Sequence, residues 1–281
     1  MSVENTLKER LSRIVQNDYH VLDETEVWPL TVQMMHSLGS IDPELRDTLI
    51  YNTLDQWTEL YFDSQQLGIL LNTVLDDEHL FYGLGEQETD SVFMRSFSSL
   101  AIAFFVARHR THPFLTAQAV DETHRRMLAY LPRERDIRGL VADKGWAHAV
   151  AHAADALGQL ALCPELTAQS LLDMLRVIRE TIVGAAVVFA DEEDERLVSA
   201  VLGIVGREVL TQADIAEWLS GFASFELPPT WPEWVRKKTN IKHFMRSLYF
   251  RSLYRGVIES FEPALSQTLK EISNREIPST Y

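Results

Sequence analysis

Two histidines and an aspartate stand in helical register in the segment Lys144-Gly145-Trp146-Ala147-His148-Ala149-Val150-Ala151-His152-Ala153-Ala154-Asp155-Ala156-Leu157. On a helix, positions four and seven apart nearly eclipse, so His148, His152 and Asp155 would fall within an arc of ~60°. Gln159 extends the stripe. Histidines at i and i+4 can share one metal ion, and Asp155 can be a third ligand or can orient an imidazole. The cofactor this implies is a divalent cation. The spacing lacks the glutamate of the zinc-peptidase helix, since Ala149 and Val150 occupy the interior, which disfavours a peptidase of that class. The competing reading is structural. A helix that is apolar on its remaining sides is a buried helix, and its polar groups then pair with carbonyls or carboxylates of neighbouring helices.

Two further segments carry charge in concentrated form. Asp191-Glu192-Glu193-Asp194-Glu195 opens a helix. Asp191 is the expected cap, and acidic side chains there complement the positive end of the helix dipole. In a catalytic reading, Glu193 or Glu195 is the general base. The block Arg236-Lys237-Lys238, Lys242, Arg246, Arg251 and Arg255 is basic and is interleaved with Phe244, Tyr249, Phe250 and Tyr254. It suits phosphate, nucleic acid, an acidic helix of the same chain, or a partner protein. Arg138, Lys144 and Arg246 are the residues expected to hold an anion, with Trp146 beside them. No phosphate-binding loop and no Gly-x-Ser-x-Gly elbow occurs. Cys163 is the only cysteine, between uncharged neighbours, and is read as a packing residue.

The elements that would position these residues are helices throughout. Apolar residues recur at helical spacing over 25–38, 64–80, 90–110, 116–131, 143–162, 167–188, 191–209, 211–225, 232–259 and 263–273. Asp42, Asp90, Thr116, Asp143, Thr167 and Thr211 are the expected caps, and Pro43 fits a first helical position. No strand is predicted. Helix pairs begin about every 50 residues, near the periods of about 40–47 of helical repeats. The expected fold is therefore all-α: a HEAT-like α-solenoid of antiparallel helix pairs, with a globular helical bundle as the alternative. Residues 1–281 are read as a single all-helical domain, with 226–231 as the clearest loop.

Composition narrows the function classes. The chain has 281 residues, 26 basic and 41 acidic, for a formal net charge of -15. Such a field opposes nucleic acid and anionic membrane at long range. The first residues carry mixed charge and no apolar core, unlike a secretory signal. The longest apolar runs, 100–107 and 182–190, are shorter than the ~18 residues a span needs. No membrane association and a cytoplasmic location are expected.

Three segments together resemble a bacterial family named domain of unknown function 2785. They are Arg135-Asp136-Ile137-Arg138-Gly139 running into Lys144-Gly145-Trp146-Ala147-His148 with His152 and Asp155; Glu193-Asp194-Glu195-Arg196-Leu197; and Asn240-Ile241-Lys242-His243-Phe244-Met245-Arg246-Ser247-Leu248-Tyr249-Phe250-Arg251. The resemblance covers the middle and C-terminal half well and the N-terminal part loosely. It implies a bacterial source and a helical, HEAT-like fold. It supplies no activity, cofactor or catalytic residue.

Two functions follow from the residues. The first is a helical-repeat scaffold that binds a protein or peptide. The second is a metal-dependent hydrolase of a small anionic substrate. There, His148, His152 and Asp155 hold the ion, Glu193 or Glu195 is the base, and Arg138, Lys144 or Arg246 holds the anion.

Overall fold

Helix starts are written in side chains that can accept a backbone N–H. The Asp42 carboxylate accepts from the N–H groups of Glu44 and Leu45, at 3.0 and 3.3 Å. Thr116 accepts from Ala119. Thr167 and Thr211 form reciprocal capping boxes with Ser170 and Asp214, and Asp63 does the same with Gln66. Each such cap replaces a solvent hydrogen bond that the first turn would otherwise need.

The computed structural model describes residues 3–225, 228 and 230–275. Within them the protein is 70% helical, with twelve α-helices and one two-stranded sheet. The fold is thus all-α apart from that small hairpin. Glu226, Leu227 and Pro229 of the expected loop lie outside the described residues. The chain divides into two compact units, Met1–Ala156 and Leu157–Tyr281.

The first unit holds α1 (Val3–Gln16), α2 (Val27–His36), α3 (Tyr51–Leu60), α4 (Ser64–Val74), α5 (Ser91–Thr111) and α6 (Ala117–Tyr130). The division falls within α7 (Ala149–Ala161). Leu7, Leu11 and Ile14 form the buried stripe of α1. A wide π-helical stretch, Glu44–Ile50, leads into α3. The paired strands are β1 (Leu140–Val141) and β2 (Gly145–Trp146), antiparallel with Leu140 opposite Trp146.

Among the described residues, α5 alone is long and apolar enough to cross a membrane, and 67% of that stretch is buried inside the protein. Arg95, Ser96, Ser98 and Ser99 break its apolar runs, so it does not stand out as a span in the sequence. Its fully buried Arg95 and Ser96 make it the central helix of a core, whose polar groups are met by protein atoms.

The second unit holds α8 (Ala168–Gly184), α9 (Glu193–Val205), α10 (Gln212–Ser220), α11 (Trp231–Arg255) and α12 (Glu262–Asn274). Helix α11 runs unbroken through Thr239 and packs on α8, α9 and α12. Gly203 faces Gly158 where α9 meets the end of α7, and a Cβ there would make an ordinary contact, 3.6 Å from the Gly158 carbonyl.

Three expected caps are corrected. Asp90 stands at the head of α5 but makes no capping bond; its carboxylate takes Lys144 instead. Asp143 is a turn residue of the hairpin, at φ 62. The cap of α9 is Glu192, at φ 64, while the Asp191 N–H donates to the Glu193 carboxylate at 3.0 Å.

Candidate functional site

Around the hairpin the first unit gathers Arg46, Arg138, Lys144, His148 and His152. Arg46, fully buried on the π-helical stretch, reaches it. Its guanidinium donates to the Lys144 carbonyl at 2.8 Å, the Trp146 carbonyl at 3.4 Å and the Ser40 carbonyl at 2.7 Å. Its plane lies 4.2 Å from the Phe93 ring centroid and 4.7 Å from that of Phe97. Asp47 stands 2.7 Å away, an ion pair too poorly aligned to count as a hydrogen bond. Burial lowers the pKa of Arg46 and raises that of Asp47, each opposed by the other's charge. Gly145 seats the turn on this cradle. It holds φ 75, and a Cβ there would come within 2.7 Å of Pro43 Cβ.

Beyond the hairpin the chain enters α7 through His148. The sequence reading places His148 inside the helix; it is instead the residue before it, at φ 51. Its N–H donates to the Arg138 carbonyl at 3.0 Å, and its own carbonyl accepts from His152 at 2.9 Å. The His148 ring stacks on Trp146, with centroids 4.4 Å apart and planes 21° apart. The His152 ring meets it edge-on at 5.9 Å and packs edge-on against Phe97 at 5.1 Å. Ser96 Oγ donates to the Ala147 carbonyl and lies 2.8 Å from His152 Nδ1. His152 Nδ1 is therefore engaged by Ser96 Oγ within the protein. Asp155 sits half-buried one turn further along α7. Among the described residues, no three His, Cys, Asp or Glu side chains are grouped to hold a metal ion.

The neighbouring cations are equally committed. Arg138 makes a two-pronged contact with the buried Asp136, at 2.8 and 2.6 Å, and donates to the Thr89 carbonyl. The Lys144 ammonium is 2.7 and 2.8 Å from the two Asp90 oxygens. Arg95 grips Glu134 with two bonds of 2.6 and 2.9 Å, both side chains fully buried. Tyr130 also donates to Glu134, at 3.0 Å, and burial raises the Tyr130 pKa well above its ordinary value. Of the residues expected to hold an anion, Arg138 and Lys144 are thus tied to carboxylates of the first unit. Arg95, Ser96, Glu134 and Arg46 carry no mark in the sequence analysis, and Asp136 appears there only within the segment that carries the resemblance. An arginine inside the apolar stretch of α5 was the available signal for Arg95; Arg46, among charged neighbours, offered none.

The second unit presents a different picture. Glu193 is buried, and Glu195 pairs with Arg251 at 3.1 Å. Arg251 also donates to Ser199 Oγ at 2.9 Å, so part of the basic block does serve an acidic helix of the same chain. Burial raises the pKa of Asp194, whose carboxylate lies 3.5 Å from Ser247 Oγ. Asn240, fully buried, fastens residues 187–189 by accepting from the Phe189 N–H and donating to the Val187 carbonyl.

Arg246 has no such tie. It lines an open groove of about 440 Å³ between α11 and α12, with Tyr249, Phe250, Ser266, Leu269, Lys270 and Ser273. A second hollow of about 240 Å³ adjoins it along α11, lined by Trp234, Lys238, Lys242 and His243 among others. Lys242, Arg246 and Lys270 have no hydrogen-bond or ion-pair partner among the described residues. Phe250 and Tyr254, 50% and 80% exposed, stack on each other with centroids 6.3 Å apart.

The model of the family described as protein of unknown function (DUF2785) matches residues 80–250, more than half of the chain. This chain belongs to that family. The DUF2785 match takes in the hairpin, His148 and His152, the acidic start of α9 and the cations of α11 as far as Phe250. Arg46, Tyr254 and α12 lie outside it. No curated protein and no solved structure matches the chain.

Proposed function

We propose that this DUF2785 protein is a helical binding scaffold that holds a peptide or protein segment in the α11–α12 groove. One observation carries this reading: the groove is open, is walled by the half-buried Tyr249 and the exposed Phe250, and keeps cations that no carboxylate among the described residues pairs with. Open grooves between helices are a recurring seat for peptide segments. The polar cluster of the first unit supports the same conclusion by contrast. Arg46, Arg95, Arg138 and Lys144 are held by the protein's own carboxylates and carbonyls, as structural networks are. Nothing in the geometry of the described residues favours the hydrolase.

The scaffold reading extends to architecture. Closely packed pairs such as α3 with α5, α4 with α5, α9 with α11 and α11 with α12 lie one or two helices apart in the chain. Near-neighbour packing of this kind suits a HEAT-like array.

Selection of displayed random peptides on the full chain, followed by hydrogen exchange with the best binder, tests the proposal. Protection concentrated in α11 and α12 is the expected result. Saturable binding that protects only other helices, or no saturable binder, overturns it.

A further inference from the structure

The α11 groove has a polarity, and it identifies the occupant's chemistry. Lys238, Lys242, Arg246, Tyr249, Phe250 and Leu253 fall within about 120° of arc on α11, and all are half-buried or exposed. The cations occupy the N-terminal half of this face and the aromatic and aliphatic side chains the C-terminal half. Lys238, Lys242 and Arg246 are successive i, i+4 positions, so each step climbs about 6 Å. The lysines are close enough to feel each other: the Lys238 pKa is lowered, first by burial and then by Lys242. Lys238 donates to the carbonyls of Ser273 and Arg275, which orients it without neutralising it by a carboxylate. Trp234 beside them has its indole N–H buried with no acceptor among the described residues, which adds to the positive character of that end.

We infer that the occupant is an acidic peptide segment whose carboxylates lie over Lys242 and Arg246 and whose apolar side chain lies over Phe250 and Leu253. This rests on the scaffold reading and adds the partner's chemistry to it. The spacing argues for a line of carboxylates rather than one compact anion. Cations about 6 Å apart match carboxylates on alternate residues of an extended chain, ~6.7 Å apart, or on successive turns of a helix, ~6 Å apart. A single phosphate would need the cations to converge on one point. The net charge of -15 makes the contrast functional: the net field opposes an acidic segment, so a local run of cations such as the basic half of α11 fixes where it lands. Nucleic acid, also anionic, gains nothing from the aliphatic end, and the whole-molecule field opposes its length.

The test selects random displayed peptides on the full chain and on two variants, Lys242→Glu/Arg246→Glu and Phe250→Ser/Leu253→Ser. Peptides from the wild-type selection are expected to be enriched in Asp and Glu beside an aromatic or aliphatic residue. The charge-reversed variant should weaken them about tenfold or more, and replacing their acidic residues by Gln or Asn should do the same. Added salt should weaken the wild-type complex, a readout that needs no variant. If selected peptides show no acidic bias yet still depend on Phe250 and Leu253, the acidic inference fails and the groove stands. If they depend on neither pair, the groove reading fails as well. If a single-stranded oligonucleotide displaces the acidic peptide and binds more tightly than it, the face reads polyanions generally and the inference is overturned. Should charge reversal disturb the circular dichroism spectrum, Lys242→Gln/Arg246→Gln carries the same comparison.

Discussion

The cations around the hairpin and two cations of α11, Lys242 and Arg246, are the same residue types put to opposite uses. Around the hairpin, each guanidinium or ammonium ends on an acidic side chain or a carbonyl of its own unit: Arg46 on Ser40 and Lys144, Arg95 on Glu134, Arg138 on Asp136, Lys144 on Asp90. Along α11, Lys242 and Arg246 face open hollows with no such partner among the described residues. A charge that is buried and paired is a fixture, because removing either partner strands the other in a poor solvent. A charge left half-exposed costs little to keep and remains available to something else. Polar residue type alone therefore says little about function; the location of the counter-charge says more.

The largest test of this contrast is Glu134→Ala. It strands the buried Arg95 and Tyr130 and should cost about 3–5 kcal/mol in denaturant unfolding. Arg246→Ala, measured in the same way, should stay within ~0.5 kcal/mol. Similar losses at both sites would erase the distinction. Gly145→Ala comes next: it forces a Cβ toward Pro43 at φ 75, and about 1–3 kcal/mol should be lost, with a changed near-UV signal from Trp146. An unchanged midpoint would mean that the turn is not seated as described.

A smaller effect concerns His152. Its Nδ1 lies 2.8 Å from Ser96 Oγ, and Ser96→Ala, which removes that partner, should cost about 1 kcal/mol in denaturant unfolding. An unchanged midpoint would show that the contact contributes nothing. The smallest effect is at Lys238. Its folded-state pKa lies below the ordinary lysine value of 10.5, so the folded chain releases that proton earlier than the unfolded chain. This contribution to stability is therefore absent at lower pH and grows as pH rises through the interval between the two values. Lys242→Gln should move the Lys238 titration part of the way back up, since burial, the larger cause, remains. No movement would show that the two lysines do not sense each other.

Much of the helical framework was legible in the sequence, because caps such as Asp42, Thr116, Thr167 and Thr211 act within three residues of themselves. The hairpin was not. Strands two residues long have no periodicity to read, and the alanines from 147 onward obey the helical pattern right up to the point where His148 departs from it. What bends the chain there is remote: a carbonyl acceptor for Arg46, a close approach at Pro43, a salt link from Lys144 to Asp90. The site was legible in its residue types and not in their pairing. Arg138, Lys144 and Arg246 look interchangeable in the sequence, and only folding gives two of them partners. Glu195 was marked for its charge, and Arg251 for its own, but their contact joins helices 56 positions apart.

The seat of Gly145 also bears on the order in which the first unit assembles. Arg46 and the Lys144 carbonyl it holds are 98 residues apart, whereas the capping bonds of the helices close within a single turn. Contacts of such separation are slow to form, since a long loop must close before they return anything. The hairpin should therefore settle only after α3 and α5 stand beside each other, and it should be among the first parts of the unit to loosen. In refolding, the tertiary signal of Trp146 should lag behind the recovery of helix. Under brief protease exposure, cleavage should begin near 142–144 before the helices on either side are touched.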